Sequence, residues 1–108
     1  YSQTPELFKI REYINGNLDA AINLDMLSAK FGISKYHLVR SFKKAFNISP
    51  IHYHQQARIE KAKKLIQFTD IAFSEIAEQL GFDGISAFSR AFKSAEGVPP
   101  SYYRSRNR

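Results

Sequence analysis

Apolar residues recur along this chain every three or four positions, and the pattern restarts several times after a short polar or glycine break. Leu7, Ile10 and Ile14, with Leu18 beyond them, fall at helical spacing. Thr4 is placed to cap that helix, and Pro5 suits its first turn, where a missing N–H costs nothing. Asn15-Gly16-Asn17 marks its end. Asn23 predicts a cap for a short helix carrying Leu24, Leu27 and Phe31, stopped by Gly32. Ser34 predicts the next cap, with Leu38, Phe42 and Phe46 turned inward at a spacing of four. Pro50 opens a longer helix to about Ile66, with Ile51, Ile59, Ala62, Leu65 and Ile66 apolar and Tyr53 near its start. Thr69-Asp70 breaks it. Phe73 to Leu80 predicts a short helix closed by Gly81, and Asp83 a cap for a helix carrying Phe88 and Phe92. Gly97-Val98-Pro99-Pro100 ends that helix and opens a last short one; Ser105 to Arg108 reads as a loose basic tail. No alternating strand pattern exceeds a few residues, so the class is all-α with about seven helices.

The pattern is also duplicated. Leu38, Arg40, Phe42, Lys43, Pro50 and Tyr53 recur as Phe88, Arg90, Phe92, Lys93, Pro100 and Tyr103, each 50 residues on. Leu27, Gly32 and Ile33 recur as Ile76, Gly81 and Phe82 at an offset of 49, so one residue is added after the glycine, where a turn absorbs it. Each half reads as a short helix, a glycine turn and a capped second helix, which is the helix-turn-helix pattern. The expected architecture is therefore two helix-turn-helix subdomains, residues 1–48 and 69–108, joined by a long linker helix over 49–68. At about 1.5 Å per residue that linker spans about 24 Å, suited to two readers roughly one duplex turn, about 34 Å, apart.

Composition narrows the function. The 16 Lys and Arg against 10 Asp and Glu give +6, which suits a polyanionic partner without proving one. The absence of cysteine excludes disulfides, thiolate metal sites and cysteine nucleophiles, and fits a reducing cytosol. No apolar run approaches the roughly 18 residues of a membrane span. His52 and His54 fall on different helix faces, His37 is distant, and no acidic partner stands at ligand spacing, so neither metal nor cofactor is expected. There is no phosphate-binding glycine loop, carboxylate pair or nucleophile motif, so the chain does not read as an enzyme. Nine Phe and six Tyr supply a core; Phe42, Phe46, Phe88 and Phe92 are read as part of it.

Ile76-Ala77, Gly81-Phe82, Phe88-Ser89-Arg90-Ala91-Phe92-Lys93, Gly97-Val98-Pro99-Pro100-Ser101 and Tyr103-Arg104, with Arg58-Ile59-Glu60, Ala62 and Leu65-Ile66 before them, resemble the DNA-binding domain of the AraC/XylS family of bacterial regulators. The resemblance runs from about Ile10 to Arg104. It implies transcription control, usually activation, through double-stranded promoter DNA, with RNA polymerase as a second partner and a cytoplasmic, nucleoid-associated location. It implies two recognition helices in successive major grooves. By position, the base-facing candidates are Tyr36, Val39 and Arg40 in the first helix, and Ile85, Ser86, Ser89 and Arg90 in the second. Lys35, Lys43 and Lys93 are the phosphate candidates. Ser28, Asn47, Gln55, Gln56 and Ala72 depart from the family's usual Ala, Gly, basic and capping residues. Val39 and Ile85 stand where polar readers are common, though an apolar side chain still reads a thymine methyl.

A basic helical domain docking acidic proteins is the rival reading, but leaves the duplicated capped helices unexplained. RNA binding lacks the exposed aromatic array of single-strand recognition. Lys61, Lys63 and Lys64 read as a solvated helix face. Arg104, Arg106 and Arg108 read as phosphate contacts or free ends. A start at Tyr1 rather than Met reads as a fragment of a longer regulator, and two readers on one chain predict a monomer.

Overall fold

The computed structural model describes the backbone of residues 4–106 and the side chains of residues 6–104. The side chains of Thr4, Pro5 and the Ser105–Arg108 tail, and with them the expected Thr4 cap, lie outside those described, while the backbone of Ser105 and Arg106 is helical rather than the loose tail expected. Seven α-helices make up the described chain: α1 (Thr4–Asn15), α2 (Leu24–Phe31), α3 (Lys35–Phe46), α4 (Pro50–Phe68), α5 (Phe73–Gln79), α6 (Ile85–Glu96) and α7 (Pro100–Arg106). They form two compact helix-turn-helix units, with α4 as the linker helix. One unit runs up to Gln55, and the other starts at Gln56, so α4 contributes to both.

In the first unit, Leu7, Ile10 and Ile14 of α1 bury against Leu27 of α2 and Leu38 and Phe42 of α3. The Asn23 side chain accepts the Met26 N–H at 2.8 Å, and caps α2 as its sequence position predicts. Gly32 ends α2 at φ 64°, and the next amide, Ile33 N–H, reaches back to the Ser28 carbonyl at 3.2 Å. The Ser28 hydroxyl donates to the Ile33 carbonyl, closing the same turn. Ser34 accepts the His37 N–H at 3.2 Å, and α3 begins.

The second unit repeats the core and the backbone bonds of the turn and helix ends, but not the side-chain caps. Ile76 and Ala77 of α5, Phe88 and Phe92 of α6, and Ile59, Ala62 and Ile66 of α4 share one core. The Phe82 N–H reaches the Ala77 carbonyl at 2.9 Å, matching Ile33 and Ser28. Asn47 and Gly97, both left-handed, close α3 and α6 by donating to the Lys43 and Lys93 carbonyls at 2.7 and 2.8 Å. Phe42 meets Tyr53 edge-on at 5.9 Å, and Phe92 meets Tyr103 at 5.5 Å.

Several expectations change. Asp83 does not cap α6; the N-cap is Gly84, at φ 105° and ψ 170°, with no side-chain hydrogen bond. The offset of 50 maps Ser34 onto Gly84, so Asp83 is the residue added to the turn, and the cap position takes a backbone that only glycine adopts readily. Of the apolar positions on α4, Ile51 stands 36% exposed. Phe46 is only half-buried, with the Arg11 guanidinium 4.5 Å from its ring. The α4 helix continues past Ile66 to Phe68. It stops where Thr69 turns its hydroxyl onto the Leu65 carbonyl and takes the Ile71 N–H.

The two N-caps therefore respond differently to substitution. Ser34→Ala removes a cap and costs about 1 kcal/mol. Gly84→Ala forces a side chain into positive φ and costs about 1–3 kcal/mol, and Gly84→Ser recovers nothing. Denaturant melts of the three variants test this; a Gly84→Ser protein as stable as the parent would show that the α6 cap is not glycine-specific.

Candidate nucleic-acid interface

Helices α3 and α6 have the same length and the same pattern of burial, residue for residue. Leu38 and Phe42, or Phe88 and Phe92, point inward with no exposure. Positions three and four residues apart share a helix face, so the opposite faces turn to solvent. On α3 that face exposes Lys35, Tyr36, Arg40, Lys43 and Lys44, with Val39 half-buried beside them. On α6 it exposes Ile85, Ser86, Arg90 and Lys93, with Ser89 half-buried. Every expected contact residue lies on these two faces, and neither carries an exposed carboxylate.

The faces differ in chemistry. On α3, Tyr36 is 71% exposed, and its hydroxyl accepts a hydrogen bond from Arg40 Nη1 at 3.0 Å. The guanidinium lies 5.6 Å from the Tyr36 ring centroid, within cation–π range. Next to this pair is a recess of about 300 Å³ lined by Tyr36, His37, Arg40, Ser41 and Lys44. On its lining, His37 Nε2 and Ser41 Oγ are in hydrogen-bond contact at 3.4 Å. Lys35 is held 2.8 Å from Asp25, and that hydrogen bond and its charge raise the Lys35 pKa. Both partners are exposed, so solvent screens the pair. On α6, Ser86 replaces the tyrosine and is too short to reach Arg90 in the same way. Ile85 there is 46% exposed.

His37, Ser41 and Lys44, brought together at this recess, are not among the contact residues expected from the sequence. Their spacing of i, i+4, i+7 beside Tyr36 and Arg40 was the available signal. Two basic residues have a different role from the one expected. Arg104 does not dangle: its Nη2 donates to the Thr69 and Ile71 carbonyls at 3.4 and 2.9 Å, and it lies 4.6 Å from the Phe73 centroid. It holds α7 to the α4–α5 connection. Lys63 is paired with Glu60 and Glu96 at 3.2 and 3.4 Å, whereas Lys61 and Lys64 are exposed. Arg58 donates to the Leu80 carbonyl at 2.9 Å and stacks 3.8 Å from Phe82, bracing the turn after α5; burial lowers its pKa. His54 is buried with Nε2 3.2 Å from the Leu18 carbonyl. Among the described residues, no three His, Asp or Glu side chains gather to hold a metal, and no helix is long and apolar enough to cross a membrane.

The helix-turn-helix domain family matches residues 27–106. The HTH-type transcriptional activator AarP of Providencia stuartii is 33% identical over 102 residues, which cover 94% of this chain and 76% of AarP. The uncharacterized HTH-type transcriptional regulator YdiP of Escherichia coli is 35% identical over 92 residues, 85% of this chain but 30% of YdiP. The chain thus spans under a third of that relative. The C-terminal domain of AraT, a response regulator from Geobacillus stearothermophilus, has the same fold with a TM-score of 0.91 and 34% identity, over 98% of this chain and 88% of that one.

Arg104→Ala should cost about 2 kcal/mol of stability, from two charge-assisted hydrogen bonds and a ring contact, less the burial of an Nε with no partner. Arg104→Lys should recover little, because an ammonium cannot lie flat on Phe73 while reaching both carbonyls. Thermal melts measure both; an Arg104→Ala protein with unchanged stability would return this arginine to the surface.

Proposed function

This chain belongs to the helix-turn-helix domain family, a DNA-binding domain of transcription regulation, and from that premise we propose that α3 and α6 enter successive major grooves of one duplex. The observation that carries this is the matched burial of the two helices. Two helices of matching burial on one chain turn two faces outward, both without an exposed carboxylate. A major groove about 12 Å wide admits such a helix.

In this reading Arg40 and Arg90 donate to guanine edges, a bidentate contact that discriminates by about 1–3 kcal/mol. Tyr36 and Val39, and Ile85, Ser86 and Ser89, make the remaining base contacts; Val39 and Ile85 suit thymine methyls. Lys35, Lys43 and Lys93 hold phosphates. The faces differ, so the two half-sites differ and the target is not a palindrome. One copy occupies both half-sites, and no dimer is required. The AraC-like relationship and the activator AarP favour activation, with RNA polymerase as the protein partner.

Selection from pooled random duplexes tests this. Enrichment of a bipartite, asymmetric site with halves about 10 base pairs apart is expected. No enriched motif at moderate salt would reject sequence-specific binding, and a palindrome would reject the single-copy arrangement. Arg40→Ala should relax specificity at one base pair. Lys43→Ala should weaken all duplexes alike and reduce the salt slope by about 1. Uniform loss from both would move Arg40 to the backbone.

A further inference from the structure

We propose that the recess on α3 is a site for one DNA backbone phosphate, held by His37, Ser41 and Lys44, and that α6 has no counterpart. The proposal rests on the duplex-binding reading above and adds a contact which that reading does not contain.

Three observations converge on it. First, the recess of about 300 Å³ lies on the outward face of α3, beside the Tyr36–Arg40 pair, so a helix seated in a groove brings it to one wall. Second, its lining is entirely donor-capable: a phenol, an imidazole, a guanidinium, a hydroxyl and an ammonium, with no carboxylate. The nearby carboxylate of Asp25 is engaged by Lys35 at 2.8 Å. A phosphate presents acceptor oxygens in several directions, which suits donors of different reach. His37 Nε2 and Ser41 Oγ, 3.4 Å apart, are close enough to share one oxygen, and Lys44 supplies a point charge. Third, the duplication provides an internal comparison. The positions equivalent to His37, Ser41 and Lys44 on α6 are Ala87, Ala91 and Ser94, with the same burial. The scaffold therefore does not require a histidine, a serine or a lysine there. These three differences sit together in one recess and all add donors or charge.

Arg40 lines the recess as well, but its Nη1 donates to the Tyr36 hydroxyl at 3.0 Å, so the phosphate is assigned to His37, Ser41 and Lys44 and Arg40 is left for the bases. The result is a division of labour on α3: Arg40 toward bases, and the His37–Ser41–Lys44 edge toward the backbone.

The test gives α3 the residues of α6 at these places, as the triple variant His37→Ala, Ser41→Ala, Lys44→Ser. Two probes are used: the duplex recovered from the random pool and a duplex of unrelated sequence, each titrated by fluorescence anisotropy across a salt series. The variant should bind both about tenfold more weakly, as for loss of one charge-assisted hydrogen bond to phosphate, with a salt slope lower by about 1. In a scan of single methylphosphonates through the recovered duplex, one position should cost the parent about tenfold and the variant nothing. Unchanged affinity, or a loss confined to the recovered duplex with an unchanged slope, overturns the phosphate site while leaving duplex binding intact. A parent protein that binds neither duplex overturns the site and the underlying reading together. Thermal melting checks that the triple variant is folded; if it is not, Lys44→Ser alone, at an exposed position, carries the same expectations.

Discussion

Phe42 and Phe92 each have no solvent exposure, and each sits edge-on to a tyrosine from the following helix. These contacts decide whether the units exist. The α2 and α5 helices have 8 and 7 residues, well below the roughly 12–15 at which an isolated helix becomes marginal in water. They persist because their apolar faces close over the phenylalanines of α3 and α6. Removing a buried phenylalanine ring costs about 3–5 kcal/mol, comparable to the whole stability of a small domain. The same contacts set the rotation of α3 and α6 about their axes. Once Leu38 and Phe42 are fixed inward, Tyr36, Arg40 and Lys43 have only one side left to occupy. The outward face is thus a consequence of the core.

The sequence carried most of this because the relevant signals are local. Apolar spacing, two side-chain caps, the glycine at the end of α2 and the 50-residue offset together give seven helices in the right order. It failed where local preference and the repeat disagreed. Asp83 has the better capping side chain, but the repeat pointed to Gly84, and backbone geometry decided for the repeat. It also failed where a residue's partner is distant in sequence. Nothing near Arg104 indicates that its guanidinium ends on carbonyls at positions 69 and 71. The outward faces were legible as faces, since burial fixes them. The recess beside Arg40 was not, because apolar spacing says nothing about how polar side chains lean toward one another.

Nine of the 16 basic residues fall into three kinds that net charge alone does not sort. Arg58 and Arg104 are structural: each donates to a carbonyl at the end of a helix or in a connection and lies over an aromatic ring. Lys35 and Lys63 are held in ion pairs. Arg40, Lys43, Lys44, Arg90 and Lys93 are exposed on the two outward faces. The formal charge of +6 therefore overstates what is available to a polyanion at the interface and understates its concentration on α3.

That concentration bears on how two copies of one scaffold come to do different work. Besides the Lys35 that Asp25 holds, helix α3 carries Arg40, Lys43 and Lys44 with no acidic residue, whereas α6 carries Arg90 and Lys93 with Glu96 at its end. Glu96 is turned to Lys63, so it does not offset the outward charge of α6. Attraction to phosphates is long-ranged and indifferent to sequence, whereas base contacts act only at close range and depend on sequence. A helix rich in cations therefore contributes affinity everywhere along a duplex. A helix whose outward face is serine, isoleucine, one arginine and one lysine contributes less until the correct bases stand opposite it. If both helices were of the first kind, the domain would bind everywhere; if both were of the second kind, encounter would be slow and weak. The duplicated core lets the two kinds coexist, because changes on the outward face leave Phe42 and Phe92 untouched. On the proposed reading both helices read bases, and α3 supplies more of the hold that is indifferent to sequence.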